Sequence, residues 1–171
     1  PTGSGKTLAF ALPIVTLLDP AEPRPAALVL VPTRELATQV TDELTSVGAP
    51  RGIAVASVYG GVALHAQAKR AAESHVVVAT PGRLQDLVDR RMLSLDAIRI
   101  LILDEADRML DMGFKPQVDR IVKRISNDRQ TMFFSATLDG EVGDLARLYT
   151  RFPIRVEAEL PHGHSPGEID H

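Results

Sequence analysis

Ile100-Leu101-Ile102-Leu103 is an unbroken apolar run that ends abruptly in Asp104-Glu105-Ala106-Asp107, three carboxylates in four positions. Such a run, preceded by Arg99 and lacking polar alternation, reads as a short strand buried on both faces, the state of strands in parallel sheets covered by helices. Acids at the carboxyl end of such a strand stand where open α/β sheets build their sites, because ligands enter the crevice outside the strand ends. The plainer alternative is a helix start, whose dipole favours Asp and Glu in any case.

The rest of the chain repeats the same unit. Ala26–Val31, Ile53–Tyr59, Val76–Ala79 and Thr131–Phe134 are further strand candidates. Between them lie apolar positions at helical spacing: Leu8 to Leu18, then Leu36, Val40, Leu44 and Val47, a polar and alanine-rich stretch from Ala63 to Ala72, and Leu84, Leu87 and Val88. Val118, Ile121, Val122 and Ile125 mark another helix, as do Val142, Leu145, Leu148 and Tyr149. Strand and helix alternating in this way predict an α/β fold: a parallel sheet with right-handed crossovers and helices on both faces. Thr33, Thr80 and Asp139 stand where N-caps belong. At 171 residues, 44% hydrophobic and 24% charged, the sequence has the material for one domain with a sizeable core. No apolar run approaches the roughly 20 residues of a membrane helix. The absence of cysteine removes disulfides and thiolate metal sites and fits a reducing, intracellular compartment.

Pro1-Thr2-Gly3-Ser4-Gly5-Lys6-Thr7 opens the sequence and runs directly into the first apolar helix. The glycines permit a tight loop whose amides face phosphate oxygens, Lys6 can reach the β/γ-phosphates, and the Thr7 hydroxyl can ligate Mg²⁺. The helix behind such a loop turns its positive end to the phosphates. Asp104, directly after its strand, is the candidate for holding Mg²⁺, itself or through water. Glu105 is the candidate for orienting or deprotonating the attacking water. These residues specify a nucleoside triphosphatase of the phosphate-loop class, with Thr2, Gly3, Ser4, Gly5, Lys6 and Thr7 as the cradle. The net charge of −3 gives no bulk footprint for nucleic acid, although a few amides and arginines in a groove suffice to hold phosphates.

Five motifs then occur in order: Pro-Thr-Gly-Ser-Gly-Lys-Thr at 1–7, Pro-Thr-Arg-Glu-Leu-Ala at 32–37, Thr-Pro-Gly-Arg at 80–83, Asp-Glu-Ala-Asp at 104–107 and Ser-Ala-Thr at 135–137. In this order and over most of the chain, they resemble the amino-terminal RecA-like domain of the DEAD-box ATP-dependent RNA helicases. The resemblance implies ATP and Mg²⁺ as cofactors and RNA backbone contacts from Thr33, Arg34, Gly61, Thr80, Gly82 and Arg83. It also implies hydrogen bonds from Asp107 to Ser135 and Thr137 that link the nucleotide to the RNA, and a second RecA-like domain carrying arginines toward the γ-phosphate. Residues 1–158 are expected to form the ATP-binding domain, with a short strand after Pro153, and residues 159–171 a linker and the start of the second domain.

The same resemblance calls for a strand ahead of Pro1 and an adenine-reading glutamine upstream, neither of which is in the sequence. The sheet is therefore expected to have a gap where that strand belongs. Two other functional readings stand beside the RNA helicase: a fragment that binds nucleotide or RNA without turnover, and a phosphate-loop helicase acting on DNA. His162 and His164, close together in a Pro- and Gly-containing tail without further ligands, read as solvent-exposed.

Overall fold

The computed structural model describes residues 4–150, with the side chains of residues 4–6 and 8 outside the description. Thr2, Gly3, the strand expected after Pro153, the boundary at 158/159, His162 and His164 fall outside it. Five four-residue strands form one parallel sheet: β1 (Ala27–Leu30), β2 (Val55–Val58), β3 (Val76–Ala79), β4 (Ile100–Leu103) and β5 (Gln130–Phe133). Their order across the sheet is β2-β3-β1-β4-β5. From β1 the chain moves outward to β2, returns to β3, then crosses to the other side of β1 to form β4. The winding thus reverses between β1 and β4, and Leu30 pairs with Leu103 there at the carboxyl ends. This is the switch point at which an open α/β sheet leaves a crevice.

Alternation along the strands builds two cores. Ala27, Val29, Val31, Val76, Val78, Ile100 and Ile102 face α1 (Ser4–Leu17) and α2 (Arg34–Gly48). Leu28, Leu30, Val77, Ala79, Leu101 and Leu103 face the opposite layer, made by α3 (Leu64–Glu73), α4 (Pro81–Asp89), α5 (Ala106–Asp111), α6 (Lys115–Lys123) and α7 (Gly140–Tyr149). Every residue of β1, β3 and β4 is buried, which is why these strands lack polar alternation. Each fully buried Leu or Ile contributes about 1.5–3 kcal/mol relative to exposure.

The sheet is continuous among the described strands, with no gap between β2, β3, β1, β4 and β5. Pairing instead stops at the outer edge of β5, whose residues are exposed or half-buried. The adjacency of β1 and β4 could not be read from chain order. Two expected caps are also not made. Thr80 and Asp139 occupy the N-cap positions of α4 and α7, but neither side chain bonds an amide of its helix. Thr33 does, accepting from the Leu36 amide at 3.2 Å.

The amino ends of the strands are tied to the connection that leads into β1. Arg99 meets Glu22 twice, Nε to Oε2 at 2.6 Å and Nη2 to Oε1 at 2.7 Å, and also donates to the Leu17 carbonyl. The buried His75 bridges the same region. Its Nδ1 accepts from the Ala54 amide at 2.9 Å, which leaves Nε2 as the donor to the Pro20 carbonyl, also at 2.9 Å. The hydrogen bond from Arg99 holds the Glu22 carboxyl below its ordinary value, against the opposing effect of burial. Lowered in the folded state, this group contributes stability that is present above the unfolded carboxyl pKa, near 4.3, and is lost as pH falls through the folded value. Because the Arg99 side chain is 40% exposed and screened by solvent, Glu22→Gln is expected to cost only about 1 kcal/mol at pH 7. Urea denaturation should show the difference from the parent closing below about pH 4.

Helix α4 ends in a Schellman motif, in which the Met92 amide reaches the Leu87 carbonyl and the Arg91 amide the Val88 carbonyl. Arg91 therefore sits at φ 57°, in the left-handed region, where an L side chain is strained. Arg91→Gly should raise stability by about 0.5–1 kcal/mol, seen as a higher denaturation midpoint with an unchanged slope.

Candidate functional site at the carboxyl edge of the sheet

Hydrogen bonds across the strand ends set the register of the site. The Asp104 amide donates to Leu30, Val31 to Ala79, Thr80 to Val58 and Phe134 to Leu103. The segments that follow, beginning at Tyr59, Thr80, Pro32, Asp104 and Ser135, consequently emerge along one edge. In parallel units each following helix also starts at that edge, with its first-turn amides turned to the ligand side.

The half of the edge formed by β4 and β5 carries the acids. Asp104 is only 2% exposed, an unusual setting for a carboxylate, and its Oδ1 accepts from the Glu105 amide at 3.0 Å. Glu105 has φ 51° and ψ 50° and does not cap α5 with its side chain. This left-handed backbone, a strained conformation of the kind that clusters at functional sites, turns the chain sharply between strand and helix. It leaves the Glu105 carboxylate half-buried and joined to Arg108 at a long 3.4 Å. Asp104 and Glu105 thus differ in setting: one is buried and backbone-bonded, the other half-buried and paired with Arg108. Thr7, near the start of α1, is buried at 8% exposure. Helix α1 is held against this half by an edge-to-face contact between Phe10 and Phe134, ring centroids 5.4 Å apart. The backbone of Ser4, Gly5 and Lys6 forms the first turn of α1.

The half formed by β2, β3 and β1 carries the arginines. Arg34 is exposed at the first position of α2, and Gly61 and Gly82 are exposed, with Thr33 and Thr80 half-buried. With Thr80 making no capping bond, the first-turn amides of α4 lack the acceptor a cap would supply. Gly61 has φ 87°, the left-handed region that calls for glycine, and a Cβ there would approach Arg34 Nη1 to 3.3 Å, within reach of a small shift of that flexible side chain.

Arg83 is placed differently from its expected neighbours. Its Nη1 donates to the Val62 carbonyl at 2.9 Å and to Gln67 Oε1 at 3.1 Å, and Gln67 is 2% exposed. One guanidinium nitrogen therefore pins the loop after the glycine pair onto α3 and α4. The side chain helps to shape the arginine-bearing half rather than simply projecting from it.

The contact expected of Asp107 is made only in part, and it lies within the half formed by β4 and β5. The Asp107 amide, not its carboxylate, donates to Ser135 Oγ at 3.2 Å, and the Ala106 amide donates to Phe134 O at 3.1 Å. Thr137 does not join them; its Oγ1 accepts from the Asp139 amide at 3.2 Å, inside its own turn. Sequence reading did not single out Gln67 or Tyr59 as site residues. Gln67 lies 16 positions from Arg83, and only the tertiary fold brings the two together. For Tyr59 there is a local signal, an aromatic residue directly before a glycine pair at a strand end.

The model of the DEAD/DEAH box helicase family matches residues 1–145. An ATP-dependent RNA helicase DbpA of Bacillus subtilis is 42% identical over 171 residues, covering 99% of this chain and 36% of that protein. A DEAD-box ATP-dependent RNA helicase 20 of Oryza sativa subsp. japonica is 46% identical over 162 residues, covering 91% of this chain and 33% of that one. This chain thus spans about a third of the length of these curated relatives. Among solved structures, a DEAD box protein from the hyperthermophile Methanococcus jannaschii superposes with a TM-score of 0.82 at 42% identity, covering 87% of this chain and 41% of that one. A hypothetical ATP-dependent RNA helicase from Sulfolobus tokodaii gives 0.78 at 39% identity, covering 87% and 43%. With a family model over most of its length and solved relatives sharing its RecA-like sheet, the chain belongs to the DEAD/DEAH box helicase family.

Proposed function

We propose that this chain is the ATP-binding half of an ATP-dependent RNA helicase. In this reading it couples nucleotide hydrolysis to local opening of RNA duplexes and works inside the cell. The observation that carries the proposal is the division of one sheet edge. Buried Asp104 and half-buried Glu105 stand on one side of the switch point, and exposed Arg34 and Gly61 stand on the other. The names of the relatives, ATP-dependent RNA helicases, support the same assignment.

The chemistry of the donors suits Mg²⁺. One buried carboxylate, Asp104, and one buried hydroxyl, Thr7, offer few protein ligands, and this ion is commonly held by one or two carboxylates together with nucleotide phosphates and water. When bound, Mg²⁺ would neutralise charge on the transferring phosphoryl group. The chain's own residues do the rest: the 1–7 loop and Lys6 hold phosphate, Asp104 fixes the metal side, and Glu105 orients or deprotonates the attacking water. Thr33, Arg34, Gly61, Thr80 and Gly82 receive the RNA backbone, Arg83 steadies the loop beside them, and the Asp107–Ser135 bond ties together the segments that follow β4 and β5. A second RecA-like domain is the partner across the cleft.

The test is ATP turnover by the full-length protein with and without single-stranded RNA or DNA of one sequence. Stimulation by RNA alone is expected. Equal stimulation by DNA would favour a DNA-directed helicase, and indifference to both would refute a nucleic-acid-coupled ATPase.

A further inference from the structure

Arg34 is exposed, and its guanidinium carbon lies 4.8 Å above the centroid of the Tyr59 ring. A long, exposed arginine ordinarily samples many rotamers, and fixing it on a ligand costs entropy. Here the ring provides a flat surface on which the planar guanidinium can rest through cation–π attraction, with its N–H groups still directed outward. The ring itself is set from below. Tyr59 is half-buried and packs with Val55 against the core beneath α2, directly beyond the last residue of β2. On the other side, the missing Cβ of Gly61 leaves room for Arg34 Nη1. The loop that carries this arrangement is held by Arg83 through Val62 and Gln67. Tyr59, Gly61 and Arg34 thus come from two neighbouring strand-to-helix connections and define one position for one guanidinium.

We propose that Tyr59 is a positioning residue for RNA binding: its ring pre-orients Arg34 for a backbone phosphate before RNA arrives. The inference rests on the RNA reading above and assigns Tyr59 no contact with RNA of its own. Pre-orientation lowers the entropy lost on binding, so its loss should appear in apparent RNA affinity rather than in turnover at saturation.

The test measures RNA-stimulated ATPase of the full-length protein as a function of RNA concentration, for Tyr59→Leu, Tyr59→Phe, Arg34→Gln and the double variant Tyr59→Leu/Arg34→Gln. Leucine keeps apolar bulk in the core and removes the ring face; phenylalanine keeps the face and removes the hydroxyl. Tyr59→Leu should raise the RNA concentration for half-maximal activity about three- to five-fold with kcat unchanged, and Tyr59→Phe should resemble the parent. In the Arg34→Gln background Tyr59→Leu should have no further effect, since the group it positions is gone. If Arg34→Gln weakens RNA while Tyr59→Leu does not, or if the two effects are fully additive, the positioning role is overturned and the RNA reading stands. A Phe variant as weak as the Leu variant would assign the effect to the hydroxyl and also overturn it. An Arg34→Gln variant with unaltered RNA dependence would instead overturn the RNA contact on which the proposal rests.

Discussion

Glu105→Gln in the full-length protein is expected to lower kcat for ATP hydrolysis by about 10²–10⁴-fold, with nucleotide affinity close to that of the parent. The expectation comes from the different settings of two adjacent carboxylates. Asp104 is buried and bonded to the following amide. Glu105 sits in a left-handed turn, and among the described residues its carboxylate meets only the exposed Arg108, at 3.4 Å. A glutamine is nearly isosteric with glutamate and retains a hydrogen-bonding oxygen, but its neutral amide cannot accept a proton from water. The change removes basicity while leaving the local shape, so binding and chemistry should separate. Single-turnover hydrolysis beside equilibrium binding of a nucleotide is the measurement. A variant that hydrolyses ATP within ten-fold of the parent would show that the water is activated elsewhere. Arg108, three positions on, serves as a control: Arg108→Ala should change the rate little, because an exposed pair at 3.4 Å interacts weakly.

The fold was legible wherever the physics is local. Ile100–Leu103 and Val76–Ala79 read as buried strands because every residue in them is buried, and the helix at Arg34 begins at the Thr33 cap its sequence advertises. Strand order was not legible, because it depends on which crossover passes which edge. At the site, the residue types were legible but their orientations were not. Arg83 sits in the motif that suggested a phosphate contact, yet a buried glutamine 16 residues earlier and a carbonyl at Val62 engage one of its nitrogens. Thr137 turns to its own backbone because a bond two residues away closes a shorter loop than one to Asp107. Such choices are made by tertiary packing, to which a motif is blind.

Gly143→Ala should be the most damaging single-methyl change in the half of the edge that carries Ser135. Gly143 is buried in α7, and a Cβ at that position would sit well inside contact distance of the Leu138 carbonyl oxygen. Two effects compete. Alanine in place of a helical glycine should gain about 1 kcal/mol through reduced backbone entropy. Against this, the obstructing atom belongs to the backbone, not to the movable end of a side chain, so α7 or the 135–139 connection must shift; overpacking of this kind typically costs about 1–3 kcal/mol. The clash should win, with a net loss of up to about 2 kcal/mol, readable as a lower urea midpoint. Gly140→Ala gives the comparison. A Cβ there would meet nothing within 4 Å, but the φ of Gly140 is +62°, so the cost should be confined to left-handed strain of about 1 kcal/mol. The two also differ in consequence. Displacing Leu138 moves the turn that Thr137 closes and, with it, the chain leading back to Ser135, which accepts the Asp107 amide. Gly143→Ala is therefore expected to speed hydrogen exchange at the Asp107 amide, whereas Gly140→Ala should leave that amide as it was. A Gly143→Ala protein more stable than the parent would mean that α7 can slide along the sheet at no cost, and that the connection from Ser135 to α7 is looser than its packing indicates.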